Sequence, residues 1–232
     1  MPLWATFLAL HAVPKDRERA DFVADAVDRW LPQLADEGLV DFVDVFCEAN
    51  YFTADDLTRL GEVAALRGIE LKAHVNQFQS VGGIQASVAA NARSVDHLEV
   101  LTDADVDALK TAWSGGSGPM PVALPHCSLF LNIPYTPGRQ IIDAGLPLAI
   151  ASDCNPGSAP SSDLRMAWSL ATHQMKLRVD EGLRTHPLLC GAGGDVDRVL
   201  VGAGQEADIV TAQATAGGLI RAFDGATQKA MP

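Results

Sequence analysis

Short apolar runs alternate along the chain with longer runs in which apolar residues recur every three or four positions. The short runs predict β-strands and the longer runs predict amphipathic helices. Strands are predicted at residues 5–13, 40–48, 69–78, 94–100, 122–130 and 146–153. Helices are predicted at residues 20–34, 53–68, 83–92, 102–113, 137–145 and 161–177.

Two of the predicted helices carry the same N-terminal signal. Thr53 is followed three residues later by Asp56, and Thr102 is followed three residues later by Asp105. A threonine before a helix accepts a hydrogen bond from a backbone N–H of the first turn, and an acid at the third position can return the bond. We therefore expect helices to begin directly after both threonines.

The alternation of strands and helices predicts parallel strands joined by helical crossovers. Such a sheet is either a (β/α)8 barrel or an open, doubly wound sheet. No G-x-G-x-x-G or P-loop follows a predicted strand, which disfavours nucleotide-binding sheets. A barrel gathers strand ends on one face. It is favoured by the polar residues at or near the predicted strand ends: His11, His74, His97, His126 and Asp153.

Composition excludes several classes of partner. The formal net charge is −12, so the surface repels the phosphate backbone of nucleic acids. No stretch approaches the ~20 apolar residues that span a bilayer, and no basic amphipathic face indicates membrane binding. The four cysteines are far apart and form no C-x-x-C pair, which predicts reduced thiols in a cytoplasmic protein. The N-terminus has no basic region of the kind that begins a signal peptide.

Two histidines and one acid at strand ends form a candidate metal site. His74, His97 and Asp153 carry the nitrogen and oxygen ligands that divalent transition metals accept. A structural interpretation stays open for each residue alone. A histidine at a strand end is often a hydrogen-bonded core residue, and an acid before Asn-Pro-Gly often forms a turn.

Residues 11–177 resemble imidazolonepropionase, a member of the amidohydrolase superfamily. The similar segments are "TFLALHAVP", "DFVDVFCE", "KAHVNQFQSVGG", "SVDHLEVL", "PVALPHCSLF" and "LPLAIASDCNPGSAPS". They occur in the order of the family and with similar spacing. The resemblance implies a partial (β/α)8 barrel of the metal-dependent amidohydrolase type, comprising about strands 3 to 8.

The resemblance implies a metal centre and catalytic residues. His74 matches the metal-ligand histidine of the fifth barrel strand, and Asp153 matches the metal-ligand aspartate that ends the eighth. His97 matches the histidine that helps to activate the attacking water, and with Asp153 it relays the proton to the leaving nitrogen. Gln77 stands where many members have glutamate. As an amide it can hydrogen-bond the substrate ring but cannot take up a proton as a carboxylate does.

The remaining implied contacts are with the substrate. His11 matches a substrate-contacting histidine, and the loop that contacts substrate and product corresponds to Asn155, Gly157 and Ser158. The implied reaction is hydrolysis of 4-imidazolone-5-propanoate to N-formimidoyl-L-glutamate in histidine catabolism. The implied cofactor is one Zn or Fe ion, which lowers the pKa of a bound water.

One departure from the family leaves other functions open. The superfamily carries His-x-His in its first strand, and no His-x-His occurs in this sequence. We therefore expect the first two strands to be absent and the isolated chain to bind metal poorly. A deaminase of related barrel type is one alternative. A non-catalytic product of a truncated or split gene is the other.

The resemblance also predicts the division of the chain. Residues 1–185 are expected to form the partial barrel, and residues 186–232 a remnant of a small β-sandwich, because "GAGQEADIV" weakly matches the superfamily's return to that domain. Two kinds of partner stay open beside the small-molecule substrate. One is a second copy of a full-length chain in a homodimer, and the other is a chain that supplies the missing strands.

Overall fold

The computed structural model describes residues 4–179, residue 181 and the segments 211–214 and 220–223. The strands of the main sheet are β1 Thr6–Leu10, β2 Phe42–Cys47, β3 Glu70–Val75, β4 Ser94–His97, β5 Met120–Ala123 and β6 Ala149–Ile150. The α-helices are α1 Arg19–Asp25, α2 Leu31–Asp36, α3 Ala54–Ala65, α4 Gly83–Ala89, α5 Asp103–Ser114, α6 Pro125–Leu131, α7 Gly138–Asp143 and α8 Leu164–His173.

The order of the strands in the sheet distinguishes the two predicted architectures. The six strands lie in sequence order, β1-β2-β3-β4-β5-β6, and the pairs from β1 to β5 are parallel. An open, doubly wound sheet reverses its strand order part-way, whereas a (β/α) barrel adds each strand beside the previous one. The sheet therefore has the topology of a partial barrel, as predicted.

The chain forms two compact units. One comprises Met1–Val122 with Gln140–Leu146, and the other comprises Ala123–Arg139 with Pro147–Pro232. Strands β1 to β4 and helices α1 to α5 belong to the first unit. Helices α6 and α8, strand β6 and the loop after β6 belong to the second.

Alternate residues of β2 and β3 form the core between the sheet and its helices. Val43, Val45, Ala73 and Val75 are fully buried, and α3 packs on both strands. The first residue of α4 is Gly83, where the backbone comes close to β3 and leaves no room for a side chain. A Cβ added at Gly83 would lie 2.7 Å from a methyl carbon of Val75. The opposite face of these strands carries Asp44 and His74, together with the rings of Phe42 and Phe46.

Both predicted threonine caps form. The Thr53 hydroxyl accepts the backbone N–H of Asp56, and the Asp56 carboxylate accepts the backbone N–H of Thr53. Thr102 and Asp105 make the same pair of bonds at α5. Each capping box satisfies backbone donors that the first helical turn leaves without partners.

Three predicted elements differ from the structure. The strand predicted at 122–130 is β5 followed by α6, because Pro125 lacks the N–H that a strand needs and its φ suits the first turn of a helix. The strand predicted at 146–153 is limited to β6. The helix predicted at 161–177 begins only after Asp163, whose carboxylate accepts the N–H of Arg165 as a cap.

The helix predicted at 20–34 is continuous but not uniform. A five-residue π-helical segment, Ala26–Trp30, joins α1 to α2. The π-helical segment lies just before Pro32, which has no N–H to donate to the preceding turn.

The C-terminal part of the chain contributes a separate two-stranded sheet. Strands β7 Thr211–Ala214 and β8 Ile220–Phe223 pair antiparallel. The segment "GAGQEADIV" and the domain boundary predicted at 185 lie outside the described residues. Within the part of the chain that is described, no helix is long and apolar enough to cross a membrane.

Candidate active site

Three of the predicted site histidines lie at or near the carboxyl ends of strands β1, β3 and β4 of the first unit. His11 directly follows β1, His74 is the fifth residue of β3, and His97 ends β4. The His11 and His74 rings are 4.7 Å apart between centroids, and the His74 and His97 rings are 5.3 Å apart. Phe46 of β2 packs near the group, with its ring centroid 6.1 Å from that of His11. The carboxyl ends of these strands thus bring the three imidazoles together.

Asp44 of β2 links two of these histidines. Its Oδ1 lies 2.8 Å from His74 Nδ1 and 3.2 Å from His11 Nε2. The Asp44 side chain is only 2% exposed. Burial opposes ionisation of this acid, but the attraction of His74 and the hydrogen bonds from both rings outweigh burial and hold the pKa of Asp44 well below its usual value.

His97 reaches the group through an unusual backbone conformation. Asp96 already faces His74, with 3.9 Å between Asp96 Oδ2 and His74 Nδ1, so strict alternation would direct His97 to the other side of the strand. The φ angles of His97 and Leu98 are 85° and 65°, in the left-handed region. Such conformations cost about 1–3 kcal/mol each and are common at functional sites.

Acidic side chains lie beside both His97 and His74. Glu99 Oε1 lies 3.4 Å from His97 Nδ1, and both side chains are almost completely buried. Burial raises the pKa of Asp96, and the nearby Asp44 carboxylate adds to this effect while His74 opposes it. The site therefore combines imidazoles with carboxylates in a largely dry environment.

Gln77 lies in the loop after β3 and is buried. The preceding residue, Asn76, has a left-handed φ of 57°, and its side-chain amide donates to the carbonyl of Val100 and to the Asp105 carboxylate at 2.9 and 3.0 Å. Glu48 accepts the backbone N–H of Phe78 on the other side of Gln77 at 2.8 Å. Both neighbours of Gln77 are thus fixed by buried polar contacts.

The predicted residues of the second unit lie in one loop after β6. Asp153 has a left-handed φ of 53°. Asn155 Oδ1 accepts the backbone N–H groups of Gly157 and Ser158 at 2.9 and 2.8 Å, and Asn155 Nδ2 donates to the carbonyl of Asp153 at 2.7 Å. Asn155 therefore builds the turn, which places Asp153 and Ser158 beside each other with 3.5 Å between Ser158 Oγ and Asp153 Oδ2.

His126 supports both ends of this loop. It is the second residue of α6, not a strand-end residue as the sequence suggested. Its Nδ1 lies 3.3 Å from the carbonyl oxygen of Ser152 and 3.1 Å from that of Ser161. Its contacts therefore fix the loop that carries Asp153 and Asn155.

The donor set of the first unit fits a divalent transition metal. One ligand atom each of His11, Asp44 and His74 lies within 4.8 Å of the others. Imidazole nitrogens are common ligands of catalytic zinc, and a carboxylate that hydrogen-bonds a ligating imidazole orients its ring. The chemistry of these residues is thus compatible with the ion that the sequence predicts.

Comparisons with known proteins were made by sequence and by structure. No protein-family model matches the chain. The imidazolonepropionase of Christiangramia forsetii is 48% identical over 185 residues, which are 79% of this chain and 44% of that protein. The chain is therefore similar in sequence to imidazolonepropionases. The enzyme of Flavobacterium johnsoniae is 45% identical over 77% of the chain, and that of Caldanaerobacter subterraneus is 34% identical over 90%.

The chain spans less than half the length of these relatives: 44% of the Christiangramia forsetii protein and 43% of the Flavobacterium johnsoniae protein. The chain also covers only part of the solved structures that share its fold. A guanine deaminase from C. acetobutylicum with bound guanine has a TM-score of 0.60 and 10% identity, over 78% of this chain and 49% of that one. A zinc-bound adenosine deaminase from Xanthomonas campestris has a TM-score of 0.54 and 16% identity, over 80% and 46%.

The sequence patterns did not identify several acidic residues that surround the histidines of this site. They are Asp44, Glu48, Asp96 and Glu99. Each occurs in a segment that the sequence already singled out. An acid within the apolar run "FVDVF" was a signal for Asp44, since a charged residue in a buried strand needs a partner.

Proposed function

We propose that the protein is a metal-dependent hydrolase that opens the ring of 4-imidazolone-5-propanoate to give N-formimidoyl-L-glutamate. The observation that carries this proposal is 48% identity to an imidazolonepropionase over 185 residues. The grouping of His11, His74 and His97 around buried carboxylates supports a catalytic role for this end of the sheet. The chain spans 44% of the length of that relative, and we propose the activity of the whole enzyme for it.

His74 and Asp153 are proposed as ligands of one metal ion, either Zn or Fe. When bound, such an ion lowers the pKa of a coordinated water and polarises a carbonyl oxygen. The zinc in the related adenosine deaminase fold supports a divalent ion. The imidazoles of the first unit, with the Asp44 carboxylate hydrogen-bonded to them, support it independently.

His97 is proposed as the group that accepts a proton from the attacking water. The water oxygen bonds to the ring carbonyl carbon, the ring C–N bond breaks, and the proton passes to the leaving nitrogen through His97 and Asp153. Gln77 hydrogen-bonds the imidazolone ring, because an amide can donate and accept but cannot act as a carboxylate base. Its burial and the fixed loop around it suit such an orienting role.

His11 and the loop after β6 are proposed to hold the substrate. The loop residues are Asn155, Gly157 and Ser158, which the Asn155 side chain organises into one turn. A deaminase function is supported by the fold alone, since those structures are 10% and 16% identical to the chain. Sequence similarity favours imidazolone hydrolysis over deamination.

The proposed function includes a compartment, a division of the chain and an assembly. The substrate is a small molecule, and we assign the protein to the cytoplasm, where the free thiols of Cys47, Cys127 and Cys154 stay reduced. We assign residues 1–185 to the hydrolase barrel and residues 186–232 to a further segment. Association as a homodimer, or with a chain that supplies further barrel strands, is the proposed form of the active assembly.

Turnover of 4-imidazolone-5-propanoate tests this function. The metal-loaded protein is mixed with the substrate, and loss of the imidazolone absorbance is followed. Guanine and adenosine serve as competing substrates. Hydrolysis of the imidazolone supports the proposal, whereas release of ammonia from guanine or adenosine without imidazolone turnover would assign a deaminase instead.

A further inference from the structure

Asp44 has no role in the reaction proposed above, yet it lies between two of the histidines. Its Oδ1 is the acceptor for both His74 Nδ1 at 2.8 Å and His11 Nε2 at 3.2 Å. The side chain is 2% exposed. A buried acid in a strand must be compensated by hydrogen bonds or charge, and here the two imidazoles provide both.

The hydrogen-bond direction follows from the chemistry of the groups. An ionised carboxylate has no hydrogen to donate, so each ring nitrogen that faces Asp44 Oδ1 carries the hydrogen. For His74 that nitrogen is Nδ1. A metal ion binds only the neutral imidazole, which carries one N–H, so with that hydrogen on Nδ1 the lone pair of His74 is on Nε2.

We propose that Asp44 is a positioning residue that fixes His74 in its Nδ1–H tautomer and so presents Nε2 to a divalent metal ion. The inference rests on the proposed function, in which His74 is a metal ligand. Metal-ligating histidines commonly donate their other N–H to a carboxylate, which sets the tautomer and the ring orientation. Because Asp44 also accepts from His11, one acid orients both residues.

The distances distinguish this role from direct coordination by Asp44. Two ligands of a tetrahedral zinc, each ~2.05 Å from the metal, lie ~3.3 Å apart. The 2.8 Å between Asp44 Oδ1 and His74 Nδ1 is shorter than this and matches a charge-assisted hydrogen bond. The pair is therefore joined by a hydrogen, and not by an ion between them.

Asp96 provides a matched control. Its Oδ2 lies 3.9 Å from the same His74 Nδ1, beyond hydrogen-bond distance. Asp96→Asn and Asp44→Asn each replace one largely buried carboxyl group near His74 with an amide of the same size. Only Asp44→Asn removes the acceptor that selects the tautomer, because an amide can present either its oxygen or its NH₂ to the ring.

The tautomer is measured by NMR on the metal-free, 232-residue protein labelled with ¹⁵N in its histidine rings. His74→Gln identifies the His74 signals. We expect hydrogen on Nδ1 and none on Nε2 in the wild type and in Asp96→Asn, and a mixture of both tautomers in Asp44→Asn. A wild-type His74 with its hydrogen on Nε2 overturns the proposal, as does an equal change in both variants. The wild-type spectrum decides even where a variant does not fold.

Zinc is then added to the same labelled proteins. We expect a change at His74 Nε2 with the Nδ1 hydrogen retained, and Zn²⁺ binding about 10–100-fold weaker in Asp44→Asn than in Asp96→Asn. Loss of the Nδ1 hydrogen on zinc binding overturns the proposal, and so does the absence of any zinc-dependent change at His74. Turnover is assayed separately, so a missing hydrolase activity counts against the proposed function alone.

Discussion

The carboxylate of Glu48, at the end of β2, accepts the backbone N–H of Phe78, in the loop after β3, at 2.8 Å. The same oxygen accepts the N–H of Gln79 at 3.2 Å, and the other oxygen accepts the N–H of Ala49. Glu48 is buried. One side chain therefore joins two strand ends and fixes the loop that carries Gln77.

Replacing Glu48 tests whether its carboxylate stabilises the loop after β3. In Glu48→Gln one acceptor oxygen becomes an NH₂ group that faces backbone donors, so we expect the free energy of unfolding to fall by about 1–3 kcal/mol. Urea denaturation measures the change. The exposed Glu62→Gln on α3 is the control and should stay within ~0.5 kcal/mol of the wild type. Equal stability of both variants would contradict this account of Glu48.

His97→Ala tests the proton-transfer role in the proposed hydrolase. We expect kcat to fall by about 10²–10⁴ while metal content is unchanged, because the imidazole moves a proton and does not hold the ion. Imidazolone absorbance and metal analysis measure the two quantities. His173→Ala, at the exposed end of α8, is the matched control and should leave both unchanged. Parallel loss of metal and activity would make His97 a ligand instead.

Asp105 makes the stability of the fold sensitive to acid. Burial opposes its ionisation, but hydrogen bonds from Thr102, Gln85 and Ser80 prevail and lower its pKa. An acid whose pKa is lower in the folded state contributes stability that is fully present above its unfolded pKa of about 3.9 and is lost as the pH falls through the folded value.

We therefore expect the wild type to lose stability as the pH falls below about 4, and Asp105→Asn to lose less over the same interval. Denaturation midpoints measured at successive pH values give the comparison. Asp103→Asn replaces an exposed acid of the same helical turn and should retain the wild-type pH dependence. An unchanged slope in Asp105→Asn would show that another group is responsible.

Gly83→Ala tests the close approach of α4 and β3. The added Cβ would lie 2.7 Å from Val75 Cγ1 and 3.2 Å from Cys47 Sγ, in a buried position. Overpacking of this kind costs about 1–3 kcal/mol, which outweighs the better helix propensity of alanine. Thermal unfolding measures the loss. In Gly157→Ala the nearest contact is 3.4 Å, so that variant should unfold at the wild-type temperature.

Local signals in the sequence predicted the order of the elements and much of their extent. The apolar runs that became β2 and β3 and the caps at Thr53 and Thr102 involve residues close together in the chain, and their effect hardly depends on tertiary context. Pro125 was the exception: its run of apolar residues resembled a strand, but proline ended the strand and began a helix.

The sequence by itself placed His11, His74 and His97 at or near the ends of three predicted strands, because a β-α repeat determines which ends share a face. The tertiary structure decided which groups meet. Asp44 contacts His74 across 30 residues of sequence, and His97 joins them only because its backbone adopts a left-handed conformation. Strand register and a strained φ depend on packing over the whole sheet, and no local pattern in the sequence encodes them.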